Sequence, residues 1–398
     1  MDSQLIGVAR RDITPPVGSV LVGYHSRISR SVGHPLRAEA LVVRHGPRGW
    51  ALVTSDLCAL SRPFVLGIRQ RVRTRIPIAP EAIMIAADHT HSGPAANLAG
   101  WVQGHPDREY FGALAEALVD VIVEAWTTAA PGTLEAATAA APGLASNRRV
   151  QDARGQWTNA WQDPEGTHTG YFDPTVTLTG VRRPDGLLDA LLVTYGCHPV
   201  VLGSRSLAIS SDYCGYLKDA LEEDGTAGTV LFGVAGHGDV DPRVCVQESK
   251  SAVRKMGRGL AAIVRAATGS LEPLAIGGVS ARIEPWRIVR TRALGDTPEQ
   301  QFIRLMSAGD VFDTEVMALR AGDLAIVGLP GEALGEIAAA VRRASPFAHT
   351  VVLSLANDTV GYIPTDAVQR QGAHEANYAP AEGMEGPVLE KARTVLGL

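Results

Sequence analysis

Short apolar runs alternate with longer segments of helical periodicity along the chain, and this alternation limits the possible folds more than any other feature. Short apolar runs predict buried strands, and apolar residues recurring every three or four positions predict covering helices. Their interleaving predicts one α/β domain over residues 1–398, with mixed β-sheets flanked by helices and the active site in loops at strand ends. The predicted strands are 40–44, 51–55, 82–87, 190–195, 229–234, 275–283, 315–319, 324–328 and 351–355. The predicted helices are 107–126, 213–223, 249–267 and 332–343.

Residues 147–173 form the least regular part of the sequence. Gly155, Pro164 and Gly166 interrupt it, while Trp157 and Trp161 add bulk without periodicity. Long loops in compact domains are commonly binding loops. We therefore expect a substrate-binding loop here.

Composition excludes several classes of function. The 398 residues carry a formal net charge of −5 and contain no polybasic run, so nucleic acid and anionic membrane surfaces are not expected partners. No uninterrupted apolar stretch is long enough to span a bilayer, and the first residues lack the pattern of a secretion signal. The 4 cysteines are irregularly spaced, which indicates reduced thiols. We expect a cytoplasmic protein that binds a small molecule, and homo-oligomerisation stays open.

The segment Asp88-His89-Thr90-His91-Ser92-Gly93-Pro94 follows directly after the apolar run 82–87. His89 and His91 therefore lie where a buried strand becomes a loop, which is where ligands bind in open α/β sheets. Imidazole is the commonest metal ligand in proteins, so a zinc site with nitrogen and oxygen ligands is the first hypothesis. An ordinary polar loop is the alternative.

His198 repeats this placement at the end of the predicted strand 190–195. Asp212, just downstream, lies where it can cap the following helix, and capping alone explains it. Asp239 and Asp241 follow the predicted strand 229–234 and are candidates for orienting a catalytic group or acting as a base, although a Gly-Asp turn is usually structural.

Glu332 and Tyr362 each have a functional and a structural interpretation. Glu332 opens a predicted helix after a strand, where the helix macrodipole alone favours a carboxylate. Tyr362 lies in the segment Gly361-Tyr362-Ile363-Pro364-Thr365, and a half-buried aromatic residue is the simpler explanation. Neither residue is decisive alone.

Taken in order, these segments resemble the neutral/alkaline, non-lysosomal ceramidases. The resemblance is carried by the following segments: Gly7-Val8-Ala9-Arg10-Arg11-Asp12-Ile13-Thr14-Pro15-Pro16-Val17-Gly18, Gly23-Tyr24, His89-Thr90-His91-Ser92-Gly93-Pro94, Ser146-Asn147-Arg148, Cys197-His198-Pro199, Gly238-Asp239-Val240-Asp241-Pro242, Pro330-Gly331-Glu332 and Gly361-Tyr362-Ile363-Pro364-Thr365. They span nearly the whole chain.

The resemblance implies a zinc amidase. It makes His89, His198, Glu332 and Tyr362 the metal ligands, and it places His91, Arg148 and His374 beside the substrate carbonyl. In such a site zinc activates a water molecule and polarises the carbonyl group. His91 and Arg148 would then stabilise the oxyanion that develops.

Two residues depart from the family pattern. Asp241 stands where ceramidases have a serine, and His374 stands where they have a tyrosine. Asp241 or His374 is expected to move the proton to the departing amine. The sequence also reaches residue 398 without the family's immunoglobulin-like C-terminal domain. We therefore expect a zinc-dependent amidohydrolase acting on a small soluble molecule instead of ceramide.

Three alternatives stay open at this point. The same zinc site would serve an ester or lactone hydrolase, or an acyltransferase that forms amides. A non-catalytic metal-binding protein is the third alternative, and it is disfavoured because all four candidate ligands are present.

Overall fold

The secondary structure is taken from a computed structural model that describes residues 4–96, 108–275, 277–291 and 310–398. The strands are Leu5–Asp12 (β1), Val20–Leu21 (β2), Arg27–Ile28 (β3), Ser31–Val32 (β4), Arg37–His45 (β5), Arg48–Ser55 (β6), Ala59–Leu60 (β7), Ile83–Ala87 (β8), Ala95–Ala96 (β9), Ala130–Pro131 (β10), Thr133–Ala140 (β11), Ala145–Asn147 (β12), Arg149–Gln151 (β13), Trp157–Asn159 (β14), Thr175–Arg182 (β15), Leu188–Tyr195 (β16), Ala208–Ile209 (β17), Thr229–Val234 (β18), Val240–Pro242 (β19), Glu272–Pro273 (β20), Val279–Val289 (β21), Val311–Ala321 (β22), Leu324–Gly328 (β23), Glu332–Ala333 (β24), His349–Leu353 (β25) and Tyr362–Ile363 (β26). The helices are Arg62–Arg73 (α1), Arg108–Thr127 (α2), Asp212–Glu223 (α3), Lys250–Thr268 (α4), Gly335–Ala344 (α5), Asp366–Gln371 (α6), His374–Asn377 (α7) and Glu385–Leu396 (α8), with a 3₁₀ turn at Pro80–Ala82.

Three mixed sheets carry the fold. Their strand orders are β10-β1-β5-β6-β8 for the first sheet, β18-β16-β15-β11-β20 for the second and β21-β22-β23-β25 for the third. Each sheet is antiparallel except for one parallel pair at an edge, and these pairs are β6/β8, β16/β18 and β23/β25. Helices flank the sheets: α2 packs on β1 and β5, α3 packs on β18 and α4, and α8 packs on β21 and β22. The predicted α/β class with mixed sheets is confirmed.

The three parallel edges meet at the carboxyl ends of their strands. The backbone N–H of Asn357, after β25, donates to the Ile85 carbonyl of β8 at 2.7 Å. The N–H of Ser354 donates to the Val234 carbonyl of β18 at 2.9 Å. These bonds bring the strand-end loops of all three sheets to one place.

The third sheet separates two hydrophobic clusters, and the period of two along its strands explains the division. Met317 and Leu319 of β22 join the large cluster that also contains the first two sheets. Val316 and Ala318, which alternate with them along β22, join a smaller cluster formed with α5 and α8. Successive side chains of a strand point to opposite faces, so one strand supplies both clusters.

Most predicted elements are present, with corrections at three places. The predicted helix 332–343 begins at Gly335, because Glu332 is held in β24 by pairing with Tyr362 of β26. The irregular stretch 147–173 contains a β-hairpin, β13/β14. The strand predicted over 275–283 runs over Val279–Val289. Residues 107 and 276, included in two of the predicted elements, lie outside the described residues. Over the described ranges, no helix is both long and apolar enough to cross a membrane.

Candidate metal centre and active-site cavity

Four side chains with potential metal-ligating atoms converge where the three parallel edges meet. His89 follows β8 of the first sheet, and Glu332 follows β23 of the third. His198 and His237 follow the paired strands β16 and β18 of the second sheet. One ligand atom from each of the four lies within 4.8 Å of the others. The Glu332 Oε2 atom is 3.2 Å from His198 Nε2 and 3.3 Å from His89 Nε2.

Backbone carbonyl groups fix the ring orientation of the three imidazoles. Nδ1 of His89 lies 2.6 Å from the Cys58 carbonyl oxygen. Nδ1 of His198 lies 3.1 Å from the Val240 oxygen, and Nδ1 of His237 lies 3.0 Å from the oxygen of residue 235. A carbonyl oxygen only accepts, so each Nδ1 carries a proton and donates it, and Nε2 is the ring atom that faces the centre of the cluster.

This cluster fits a divalent metal ion. Burial and the nearby charge of Arg148 lower the pKa of His198, while burial and the charges of His198 and His89 lower that of His237 well below its usual value. Both rings are therefore neutral near pH 7. Burial by itself would raise the pKa of Glu332, but the charge of His89 and the hydrogen bonds of His198 and His89 outweigh it and bring that pKa well below the usual range. Burial alone would lower the pKa of His89, but the charge of Glu332 outweighs it and raises that pKa well above the usual value, so a bound metal ion would take the place of the His89 proton. Imidazole nitrogens around an ionised carboxylate are donors that zinc prefers.

His91 lies beside the cluster and is held differently. Its Nε2 atom is 3.2 Å from Nε2 of His89, and its Nδ1 atom is buried without a partner in the described part of the chain. Burial and the charges of His89 and His198 lower its pKa well below the usual value. Gly23 packs against the ring at φ +100°, and a Cβ atom at Gly23 would lie 2.4 Å from His91 Cγ. Only glycine lets this loop pass so close to His91.

Glu332 and Tyr362 come together through a two-residue parallel pairing. They are direct partners in the β24/β26 pair, although 30 positions separate them in the chain. The Tyr362 hydroxyl accepts a hydrogen bond from Nη2 of Arg148 at 3.1 Å. The structure thus brings Tyr362 beside the predicted ligand Glu332.

Arg148 and Asp241 form a buried ion pair next to these residues. Arg148 donates to Asp241 Oδ1 at 3.1 Å, to Glu375 Oε1 at 2.9 Å and to the Gly238 carbonyl at 2.8 Å. Asp241 Oδ1 also lies 3.5 Å from His198 Nδ1. Neither Arg148 nor Asp241 lines the adjacent cavity as far as the described residues define it. Both lie behind the predicted ligands, and their catalytic roles stay predictions.

His374 faces the cavity from within a group of aromatic rings. Its ring centroid is 4.4 Å from that of Tyr378 and 5.4 Å from those of Tyr362 and Trp161. Burial, aided by the charge of Arg148, lowers the pKa of His374 to about 4, so the ring is neutral at pH 7. Trp161 of the predicted binding loop therefore contacts a residue of the cavity wall.

A cavity beside the cluster opens onto it. Its wall includes His89, His91 and Glu332, and the rest is mainly aromatic rings and small side chains such as Tyr24 and Cys58. A substrate group in this cavity would touch the ligand cluster directly.

Two residues of the site were not identified from the sequence. His237 follows the strand 229–234 just as His198 follows its own strand, and that shared placement was the available signal. Glu375 is fully buried and accepts hydrogen bonds from Arg148 and Arg149, with Nε and Nη1 at 2.9 and 2.8 Å. Its partners lie more than 200 positions away, and no local pattern indicated them.

Comparisons with known proteins identify the family and the fold of this chain. The sequence profile of neutral/alkaline non-lysosomal ceramidase, N-terminal, matches residues 4–269. The chain is similar to the crystal structure of neutral ceramidase from Pseudomonas aeruginosa, with TM-score 0.81 and 19% identity over 100% of this chain and 74% of that one. A ceramidase structure complexed with C2 gives TM-score 0.81 and 17% identity, covering 100% of this chain and 75% of that one. No curated protein sequence matches significantly. At these identities the structural likeness shows a shared fold.

Proposed function

This chain belongs to the neutral/alkaline non-lysosomal ceramidase family, and on that basis we propose that it is a metal-dependent amidohydrolase acting on a small soluble substrate. The observation that carries this proposal is the opening of the imidazole and carboxylate cluster onto a cavity. His89 and Glu332 belong both to the cluster and to the cavity wall. A carbonyl group in the cavity would therefore meet the metal site directly.

The predicted ligands His89, His198, Glu332 and Tyr362 would hold the metal, which we propose to be zinc. A zinc ion in such a site lowers the pKa of a water molecule toward about 7 and polarises a carbonyl group. The buried cluster suits this chemistry, because electrostatic interactions are stronger where bulk water is excluded.

The remaining side chains would orient the substrate and move protons. His91 lines the cavity beside His89, where a neutral imidazole can donate one N–H to the carbonyl oxygen of the substrate. Arg148 holds the Tyr362 hydroxyl in place from behind. Of the two residues predicted for proton transfer, His374 lines the cavity and Asp241 is paired with Arg148. We therefore assign proton transfer to His374, whose neutral ring can accept a proton on one nitrogen and donate one from the other.

One exchange in the sequence supports a small substrate. The charged residue Asp241 stands where ceramidases have serine, and that exchange points to a changed substrate.

The test is a comparison of substrates with the purified, zinc-loaded protein. Ceramide in detergent is assayed beside a panel of small N-acyl amines and esters, and a chelator-treated sample serves as the control. We expect zinc-dependent hydrolysis of at least one small N-acyl amine and negligible turnover of ceramide.

Two results would contradict the proposal in different ways. Efficient ceramide turnover would refute the small substrate while leaving the amidohydrolase in place. A zinc-loaded protein inert to the whole panel would refute the hydrolase. Adding free amines and analysing the products distinguishes hydrolysis from acyl transfer, because a transferase would form new amides. The esters in the panel distinguish an esterase from an amidohydrolase.

A further inference from the structure

His237 is a third imidazole at the metal site, and the ligand set implied by the family resemblance does not include it. It is fully buried, and its ring centroid lies 4.5 Å from that of His198 and 5.2 Å from that of His89. It belongs to the group of four residues whose ligand atoms lie within 4.8 Å of one another. Its position is equivalent to those of His89 and His198, because all three follow strands of the parallel edges.

The hydrogen bonding of His237 points to a ligand. Its Nδ1–H donates to a backbone carbonyl at 3.0 Å, while its Nε2 atom is buried with no hydrogen-bond partner in the described residues. Leaving a buried polar atom unpaired is unfavourable, because the atom loses its hydrogen bonds to water and gains none in return. A histidine with a purely structural role would be expected to satisfy both nitrogens. The unpaired Nε2 belongs instead to the same cluster as Glu332.

The loop that carries His237 packs closely against the segment that carries Glu332 and is hydrogen-bonded to it. The N–H of Gly238 donates to the carbonyl of Ala333 at 3.0 Å. A Cβ atom at Gly238 would lie 2.7 Å from the Glu332 carbonyl oxygen, and one at Gly236 would lie 2.8 Å from that of Leu334. Glycine on both sides of His237 allows this close approach, which fixes the ring beside Glu332.

We propose that His237 is an inner-sphere ligand beside His89, His198, Glu332 and Tyr362, so that three imidazoles bind the metal. This inference rests on the proposed function, since it requires that the site binds a metal ion. It adds His237 to the ligands implied by the family resemblance. It also predicts that the bound metal has more nitrogen ligands than a site built on His89 and His198 alone.

The first measurement uses the wild-type protein. X-ray absorption of the zinc-loaded protein counts the imidazole ligands without any substitution. We expect three imidazoles. A count of two would overturn the inference while leaving the proposed function intact, whereas a wild-type protein that binds no zinc would refute the metal site itself.

The second measurement compares variants. Zinc affinity is measured by competition with a chromophoric chelator, and the visible spectrum of the cobalt(II)-loaded protein reports the inner ligands. We expect His237→Ala and the bulkier His237→Gln to weaken zinc binding about a hundredfold or more and to change the cobalt spectrum. His349→Gln removes another buried imidazole, remote from the cluster, and should change neither property. Wild-type affinity and spectrum in a folded His237 variant would overturn the inference.

Discussion

At the scale of single residues, the four clustered imidazoles, His89, His91, His198 and His237, divide into two kinds. Nδ1 of His89, His198 and His237 donates to a backbone carbonyl, which directs Nε2 at the cluster. His91 has no such bond in the described residues, and it contacts Tyr24 at a centroid distance of 4.7 Å on the cavity side. This difference supports separate roles, with the first three as ligands and His91 as a group that contacts the substrate.

Replacing His91 should therefore lower catalysis without removing the metal. For His91→Ala we expect kcat to fall about a hundredfold or more, as for other donors to a developing oxyanion, with zinc content near that of the wild type. His198→Ala is the contrasting variant and should lose both zinc and activity. Steady-state kinetics with elemental analysis measures the two properties. Loss of zinc from His91→Ala would contradict this division of roles.

At the scale of secondary-structure elements, the pairing of β24 with β26 decides the positions of two predicted ligands. The N–H of Glu332 donates to the carbonyl of Gly361 at 2.9 Å. Gly361 has φ +99°, and a Cβ atom there would lie 2.6 Å from the Tyr378 carbonyl oxygen. A short pairing with so few backbone bonds depends on glycine at this position.

Gly361→Ala should weaken zinc binding and lower stability, because alanine both strains the backbone and collides with Tyr378. The matched control is Gly186→Ala, where φ is +88° and no atom lies within 4 Å of the added Cβ. We expect each variant to lose about 1 kcal/mol or more of unfolding free energy through backbone strain, with the larger loss in Gly361→Ala. Only Gly361→Ala should bind zinc more weakly. Equal zinc affinity in the two variants would show that this pairing does not position the ligands.

At the scale of the whole molecule, the proposed metal site joins three sheets. His89 extends from the first sheet, His198 and His237 from the second, and Glu332 from the third. A bound ion would therefore link segments that lie up to 243 positions apart, between His89 and Glu332. Its stabilising effect should extend well beyond one loop.

Removing the metal should consequently loosen all three strand-end regions together. A ligand at a hundredfold excess over its Kd stabilises the native state by about 2.7 kcal/mol, and chelation removes this contribution. Hydrogen exchange with and without chelator should show faster exchange after β8, β16 and β23 alike. A change confined to one of these loops would contradict a site shared among the sheets.

Acid should destabilise the molecule partly through His349, a buried histidine of β25 outside the metal site. Burial lowers its pKa to about 4 in the folded protein, below the usual value near 6.5 that applies to the unfolded chain. The unfolded state therefore binds more protons in this interval, so stability falls as the pH drops from about 6.5 to 4 and levels off below it. Denaturant unfolding at pH 7 and at pH 4 measures this contribution. Between these two pH values, we expect the free energy of unfolding to fall by about 3 kcal/mol less in His349→Gln than in the wild type. Parallel pH profiles for the two proteins would contradict this assignment.

The sequence alone determined the α/β class and most long elements, because these depend on local periodicity that the folded chain preserves. It also indicated His89 and His198, since each lies directly after an apolar strand. Elements whose pairing is long-range were predicted less well: Glu332 was assigned to a helix, and pairing with a segment 30 positions away holds it in a strand.

Only the tertiary structure decided which side chains share the site. His237 carries the same local signal as His198, yet its inclusion depends on distances between loops of different sheets. The buried Glu375 had no local signal, because a carboxylate between two arginines is recognisable only once the chain has brought them together. Likewise, Asp241 and His374 looked equivalent as proton-transfer residues until the fold placed His374 on the cavity wall and paired Asp241 with Arg148. Local sequence patterns specify secondary structure, whereas the composition of a site assembled from three sheets depends on contacts between distant parts of the chain.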